Sequence, residues 1–212
     1  ANVPGFAAEG GPLSAHKFSN GQSNPTFLVR QAGSGASWVL RKKPNGRLLP
    51  SAHAVEREYA FQKAIGEAGG RAGGAALPVA RMHALCEDAS VVGAPFYLME
   101  HCVGAIYKDP RLRWLPAERR SKIYAGFVES LAKLHATPAD RLTGIPRPRS
   151  PGQYGLRTLR RWKMQYLASC AAVREAPLAN MMFLADYLEK MAPRADAPGP
   201  ACVLHGDFRM DN

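Results

Sequence analysis

The stretch LHGDFRMDN, residues 204–212, puts Asp207 directly after His205 and Gly206 and places Asn212 five residues beyond Asp207. A carboxylate and a carboxamide at this spacing could serve one reaction as a base and a metal ligand. A strand that runs into an ordinary turn would leave the same residues. Features elsewhere in the sequence are needed to distinguish these two interpretations.

Composition predicts a globular protein. The chain has 212 residues, of which 46% are hydrophobic, enough for one bilobed unit or two small domains. No apolar run reaches 18 residues, and the N-terminal stretch lacks the basic flank and apolar centre of a signal peptide, so we expect a cytoplasmic protein that does not span a membrane. Four widely spaced cysteines without a C-x-x-C pair favour reduced thiols. The net charge of +11 favours anionic partners.

The predicted elements change from strands to helices along the chain. Turn residues and apolar periodicity predict an α+β fold in which a small antiparallel sheet with one helix precedes a helical part. The N-terminal 13 residues form a Gly-, Pro- and Ala-rich leader that we expect to be loose. Strands are predicted at 14–18, 26–31, 37–43, 78–86, 95–103 and 201–205, and helices at 51–70, 115–138, 156–173 and 178–191.

Three stretches in the first part add candidates for phosphate chemistry. The loop FSNGQSNPTF (18–27) has small polar residues whose backbone N–H groups could approach phosphate oxygens. The strand WVLRKK ends on Arg41, Lys42 and Lys43. Successive side chains of a strand point to opposite faces of the sheet, so Lys42 should face away from Arg41. The following helix carries Glu56 and Glu58. Alone, each has an ordinary explanation as a turn, a solvated strand end or a surface charge, so only their order along the chain is informative.

This order resembles the protein-kinase-like phosphotransferase family that includes aminoglycoside phosphotransferases and choline kinases. Within it, LHGDFRMDN, LLPSAHAVEREY, FYLMEHCVG and FSNGQSNPTFLV are similar to the kinase-like domains at the front of acyl-CoA dehydrogenase family members ten and eleven and their bacterial relatives. The resemblance covers roughly residues 18–212. It implies a bilobed kinase-like fold with a leader (1–13), an N-terminal nucleotide-binding lobe (14–98), a hinge (99–104) and an incomplete helical C-terminal lobe (105–212).

The resemblance also implies roles for the residues at the end of the chain. Asp207 would accept or orient the proton of a substrate hydroxyl, and Asn212 would bind Mg²⁺ between the phosphates of ATP. His205 would shape the loop through hydrogen bonding rather than act as a base.

The nucleotide site would be formed by the first lobe and the hinge. Arg41 would be the strand cation on the phosphates, in place of the usual Lys, with Lys42 as the alternative. Glu58 would pair with that cation. The remaining assignments are Gly21, Gln22, Ser23 and Asn24 in the nucleotide loop, and Met99, Glu100 and His101 at the adenine edge.

The resemblance implies ATP and Mg²⁺ as cofactors and a small molecule with a hydroxyl group as acceptor. Acyl-CoA dehydrogenase relatives suggest a hydroxylated acyl-CoA, and the positive net charge favours an anionic acceptor over a polycationic aminoglycoside. Kinases hold Mg²⁺ with a second Asp that follows the catalytic loop, and the sequence ends at residue 212 before it could occur, so we expect the sequence to be a fragment of a longer enzyme. The alternative is a truncated, non-catalytic pseudokinase or nucleotide-binding fragment.

A hypothesis from another functional class uses RTLRRWKMQY, residues 157–166. Its four cations are interleaved with Trp162 and Tyr166, a combination suited to single-stranded nucleic acid. We favour the interpretation in which Leu159, Trp162 and Tyr166 pack as one helical stripe and the cations face water.

Overall fold

The computed structural model describes residues 3–19, 24–46, 53–71, 77–145, 154–195 and 202–211. The chain forms two compact units, one of Ala1–Ile145 with Cys202–Asn212 and one of Pro146–Ala201. Apart from the strand predicted at 201–205, the strands and helices follow in the predicted order, which confirms the α+β class. The predicted hinge at 99–104 lies within the first unit, and its role between two lobes stays a prediction.

A five-stranded antiparallel sheet forms the centre of the first unit. Its spatial order is β1-β2-β3-β5-β4. β2 and β3 are the predicted hairpin, and Gly33 supplies a φ of +79° in the turn between them, which glycine adopts at low cost. The strands are β1 Leu13–Lys17, β2 Thr26–Gln31, β3 Ser37–Lys42, β4 Met82–Cys86 and β5 Phe96–Glu100.

The N-terminal leader is attached to this sheet instead of being loose. The indole N–H of Trp38 donates to the carbonyl oxygen of Pro4 at 3.0 Å, and the ring of Phe6 lies edge-on to the same indole. The buried carboxamide of Gln31 accepts from the backbone N–H of Ala7 and donates to its carbonyl. Buried polar groups need such partners, so the leader satisfies groups that the sheet alone leaves unpaired.

Helix α1, Val55–Arg71, packs against β4 and β5. Of the residues whose spacing predicts one apolar face, Val55, Ala64 and Ile65 are buried, and Tyr59 and Ala68 are half-buried. Glu56 and Glu58 lie in its first turn, where the helix dipole favours negative charge. The helix begins four residues later than predicted from Ser51, and residues 51 and 52 lie outside the described residues.

Helix α2, Ala117–His135, contributes to the same core through its C-terminal end. Leu134 is buried with Ala64, Ile65, Leu142 and Val203. Ile123, Phe127 and Leu131 precede Leu134 at helical spacings of four, four and three, which predicts one apolar face, but these three side chains are only half-buried. A 3₁₀ helix at Ala139–Arg141 follows α2.

The predicted strand at 201–205 is wrong for the residues that are described there. Within 202–205 the structure has a single isolated bridge between Pro138 and Cys202, without a ladder. Val203 instead enters the hydrophobic core. Apolar residues before a turn can thus be required by core packing as well as by a sheet, and the local pattern does not separate the two.

The second unit is a pair of helices, α3 Tyr154–Val173 and α4 Ala179–Ala195. The prediction that Trp162 packs in a stripe with Leu159 and Tyr166 is wrong, since Trp162 is 59% exposed. Ion pairs join the helices instead: Arg160 with Glu189 at 3.0 Å and Lys163 with Asp186 at 2.7 Å. Two of the four cations proposed for nucleic acid are therefore neutralised within the unit.

None of the helices in the described part of the chain is long and apolar enough to cross a membrane.

Candidate functional site

The basic side chains at the end of β3 lie on both faces of the sheet. Arg41 Nε lies 2.9 Å from Glu58 Oε2, and Lys43 Nζ lies 2.9 Å from Glu56 Oε2. Lys42 points away from both glutamates, and its ammonium donates to the carbonyl oxygen of Val92 at 2.7 Å. The period of two along a strand explains the division. The structure thus pairs Arg41 with Glu58, the pairing that the family resemblance implies, and places Lys42 on the other face of the strand, as alternation predicts.

Glu58 is the centre of a polar cluster between the sheet and α1. Its Oε2 accepts from Arg41 and from the hydroxyl of Tyr97 at 3.1 Å, and its Oε1 accepts from Asn24 Nδ2 at 2.8 Å. Thr26, Arg41 and Tyr97 are cross-strand neighbours on β2, β3 and β5, so the sheet register aligns them below the helix. Burial, together with the charge of Glu58, raises the pKa of the Tyr97 phenol. Tyr97 is therefore a neutral donor to Glu58.

Asn24 is oriented toward Glu58 and is 2% exposed. Because its amide nitrogen donates to Glu58, its Oδ1 is the atom that lies 2.9 Å from His53 Nδ1 and must accept a hydrogen bond there. The imidazole consequently carries its proton on Nδ1. The side chain of Asn24 has both polar atoms engaged, whereas Gly21, Gln22 and Ser23 of the predicted nucleotide loop lie outside the described residues.

The predicted adenine edge lies at the end of β5. Met99 and Glu100 belong to the strand, and His101 follows it. The backbone N–H of Glu100 donates to the carbonyl of Arg81, and the Glu100 carboxylate accepts from the N–H of Arg81. The N–H of Glu100 is therefore not available to a nucleotide base. His101 Nδ1 lies 3.0 Å from the hydroxyl of Ser37.

A cavity of about 320 Å³ opens beside this strand end. Trp38, Arg81, His83, Glu100 and His101 are among the residues that line it. Burial and the nearby charge of Arg81 lower the pKa of His83, while Glu100 opposes the change. The His83 imidazole is thus biased toward its neutral form.

The loop after residue 203 presents Asp207 to solvent. His205 Nδ1 accepts the backbone N–H of Asp207 at 3.4 Å, a contact that agrees with a structural role for this imidazole. Gly206 has a φ of +83°. Phe208, the residue after Asp207, stacks on Phe127 of α2 with ring centroids 4.2 Å apart. Asn212 lies outside the described residues.

Sequence reasoning did not identify several residues that position these groups. Tyr97 and His53 act through Glu58 and Asn24, and Phe127 and Phe208 fix the loop beside Asp207. A hydroxyl in the otherwise apolar run FYLM was an available signal for Tyr97. The stacking partner of Phe208 is distant in sequence and has no local signal.

A metal ion at this site would need oxygen atoms from a bound nucleotide in addition to protein side chains. Within the described ranges, no group of three or more His, Cys, Asp or Glu side chains could hold a metal ion. Asp207 and Asp211 are exposed carboxylates near the chain end, and a hydrogen bond from Arg209 lowers the pKa of Asp211. Mg²⁺ commonly binds one or two carboxylates together with substrate phosphates, so this donor set fits an ion delivered with a nucleotide.

Three comparisons place these features among known proteins. The chain is 41% identical over 215 residues to IBR3 of Arabidopsis thaliana, named a probable acyl-CoA dehydrogenase, a match that covers all of this chain and 25% of that protein. It is 40% identical over 202 residues to mouse acyl-CoA dehydrogenase family member 10, covering 95% of this chain and 17% of that protein. The chain therefore spans a quarter or less of these curated relatives.

The fold has a counterpart in a crystal structure from Ralstonia eutropha JMP134, provisionally named an aminoglycoside phosphotransferase. The two structures superpose with a TM-score of 0.68 at 34% sequence identity, over 99% of this chain and 56% of that one. The phosphotransferase enzyme family matches residues 14–212. That match includes the sheet, the Glu58 cluster and the Asp207 loop, and the chain belongs to the phosphotransferase enzyme family, with its kinase-like fold.

Proposed function

We propose that this chain is the kinase part of an enzyme that transfers the γ-phosphoryl group of Mg·ATP to a hydroxyl group of a small molecule. The ion pair between Arg41 and Glu58, 2.9 Å long beneath helix α1, is the observation that carries the proposal. Phosphoryl transfer depends mainly on positioning and charge neutralisation, and a cation held in place by Glu58 can serve both.

The guanidinium geometry suits Arg41 to this role. Its Nε is held by Glu58, and Nη1 lies 3.5 Å from the hydroxyl of Thr26. The terminal nitrogens of a planar fork can bind phosphate oxygens while Nε remains paired, whereas a Lys ammonium would offer a single nitrogen to both. The Arg in place of the usual Lys is compatible with phosphate binding for this reason.

Asp207 would receive the proton in the transfer step. The oxygen of the acceptor hydroxyl attacks the γ-phosphorus, its proton passes to the Asp207 carboxylate, and the bond to the bridging oxygen breaks with the electron pair leaving on ADP. Bound Mg²⁺, held by Asn212 and the nucleotide phosphates, would neutralise charge on those phosphates. Gly206, His205 and Phe208 hold the backbone around Asp207.

The acceptor that we propose is anionic, with a hydroxylated acyl-CoA as the first choice. The two named relatives carry acyl-CoA dehydrogenase names, and the kinase-like chain and that activity could act on related molecules. A net charge of +11 attracts the phosphates of coenzyme A and repels a polycationic aminoglycoside at long range.

The first test is the melting temperature of this chain with and without Mg·ATP, with AMP and a short oligonucleotide as controls. A ligand at about 100 times its dissociation constant stabilises the folded state by about 2.7 kcal/mol, which raises the melting temperature by roughly 5 to 11 °C in a protein of this size. We expect this shift with Mg·ATP alone. A folded chain that gives no shift would contradict the proposal.

Transfer is then measured by mass spectrometry of hydroxyacyl-CoA and aminoglycoside acceptors. We expect a phosphorylated hydroxyacyl-CoA and an unmodified aminoglycoside. The Asp207→Asn variant should keep the shift with Mg·ATP and lose transfer, because the amide cannot accept the proton. Full transfer activity in this variant would show that the role assigned to Asp207 is wrong.

A further inference from the structure

We propose that Asn24 is a positioning residue for Arg41 and not a ligand of the nucleotide. It acts through Glu58: the Asn24 amide fixes one carboxylate oxygen while Arg41 pairs with the other. This inference rests on the function proposed above, since it concerns how the cation of the nucleotide site is held. It also connects the end of the nucleotide loop with the first turn of α1.

The contacts of Asn24 carry this assignment. Its side chain is buried, with Nδ2 donating to Glu58 Oε1 at 2.8 Å and Oδ1 facing His53 Nδ1 at 2.9 Å. Its backbone carbonyl accepts the hydroxyl of Thr26 at 3.0 Å. Both polar atoms of this buried side chain are thus engaged by protein side chains, as expected of a positioning residue.

The carboxylate of Glu58 requires more than one donor to stay in place. Rotation about its terminal torsion is soft, because sp³–sp² torsions have broad minima. Arg41 and Tyr97 both donate to Oε2, so Asn24 is the donor that fixes Oε1. With both oxygens fixed, the plane of the carboxylate is defined, and this plane sets the direction from which the guanidinium of Arg41 can approach.

The neighbouring ion pair provides a matched comparison. Glu56 precedes Glu58 by two residues on α1, and Lys43 follows Arg41 by two residues, just beyond the end of β3; the two charges are 2.9 Å apart, as in the pair of Arg41 and Glu58. Glu56→Gln therefore removes an equivalent charge from the same helical turn. We expect this variant to keep its nucleotide affinity.

The experiment is a double-mutant cycle on Mg·ATP affinity, measured by calorimetry with wild type, Asn24→Ala, Arg41→Ala and the double variant. Asn24→Ala should weaken binding roughly tenfold, as the loss of a hydrogen bond to a charged group predicts. In the Arg41→Ala background the same change should have little further effect, because its only route to the nucleotide is gone. If the two substitutions reduce Mg·ATP affinity by independent factors that multiply in the double variant, the inference is overturned, and Asn24 has a direct contact with the nucleotide or a general role in folding.

A charge variant gives a second measurement if Asn24→Ala folds poorly. Asn24→Asp keeps the shape of the side chain but places a second carboxylate against Glu58, and two adjacent carboxylates share a proton with a raised pKa. The affinity of this variant relative to wild type should be low at neutral pH and should recover as the pH is lowered, when the shared proton restores a donor. A pH-independent ratio would overturn the inference.

The failure of the proposed function gives a different result from the failure of this inference. If folded wild-type protein does not bind Mg·ATP, the proposed function is wrong and the inference falls with it. If wild type binds and Arg41→Ala weakens binding, but Asn24→Ala changes nothing, only the role of Asn24 is wrong.

Discussion

At the scale of single residues, Gly206 holds the turn before Asp207 in a conformation that other L-residues rarely adopt. Its φ is +83°, and a Cβ built there would meet no atom within 4 Å. The cost of Gly206→Ala is therefore conformational and not steric, about 1 to 2 kcal/mol. We expect a moderate loss of stability in chemical denaturation, together with a clear loss of phosphoryl transfer, because the backbone that carries Asp207 has to change.

Gly33 supplies the control for this prediction. It has a φ of +79°, its Cβ would also meet no atom within 4 Å, and it lies in the turn between β2 and β3. Gly33→Ala should reduce stability by a similar amount and leave transfer in the surviving folded protein unchanged. Equal losses of transfer in both variants would mean that the effect of Gly206→Ala is only a stability effect.

His83 provides a pH-dependent prediction at the same scale. Burial and Arg81 lower its pKa below the usual value of 6.5, so the unfolded chain binds the proton more readily than the folded one. Above the unfolded pKa, His83 is neutral in both states, and the folded protein keeps its full stability. That stability is lost as the pH falls through the lower, folded pKa of His83. Urea unfolding at several pH values should therefore show a smaller acid-induced loss of stability in His83→Gln than in wild type. Parallel pH curves would contradict this expectation.

Single residues also show which contacts could be predicted from the sequence and which could not. Alternation along β3 predicted that Lys42 faces away from Arg41, and the ion pairs of the sheet agree, since strand period is a local property. The contact between Asn24 and Glu58 joins residues 34 positions apart and depends on how α1 crosses the sheet. No periodicity within either segment contains that information.

At the scale of elements, the stacking of Phe208 on Phe127 attaches the Asp207 loop to helix α2. Phe127→Leu would keep most of the apolar volume and remove the ring contact, which is worth about 0.5 to 1.5 kcal/mol for aromatic pairs. We expect the transfer rate to fall by at most about tenfold, with unchanged Mg·ATP affinity, because the proposed phosphate contacts lie on the sheet. Initial rates and calorimetry on the same preparations would separate the two effects.

Val128 is the matched control on the same helix. It follows Phe127, is 60% exposed, and its truncation to Ala should change neither quantity. A loss of nucleotide affinity in Phe127→Leu comparable with its loss of rate would show that α2 supports the whole site and not the loop alone.

The boundaries of elements were less predictable than their type. The strand predicted from residue 78 begins at Met82, where pairing with Met99 of β5 starts. The hydrogen bond from Val79 N–H to the Leu77 carbonyl turns the chain before the strand. A run of β-branched and apolar residues indicates strand formation, but the partner strand decides where the ladder begins.

At the scale of the whole molecule, a single feature, the net charge of +11, influences every anionic ligand. Composition alone gave this value together with the expectation of a globular chain, because both depend on sums over many residues. The position of the cation that would contact phosphate depended on the fold. Long-range attraction and local contact can therefore be separated by their response to salt.

The affinity for Mg·ATP should fall as the salt concentration rises from about 0.1 M to about 1 M, since the Debye length shrinks from about 10 Å to about 3 Å. Adenosine, which carries no phosphate, should bind with nearly constant affinity over the same range in calorimetric titrations. The Arg41 side chain is 29% exposed and paired with Glu58, so its contact with phosphate is screened less than the field of distant charges. Part of the preference for Mg·ATP over adenosine should consequently persist at high salt in wild type and be lost in Arg41→Ala. A preference that disappears equally in both proteins would assign the attraction to net charge alone and contradict a phosphate contact by Arg41.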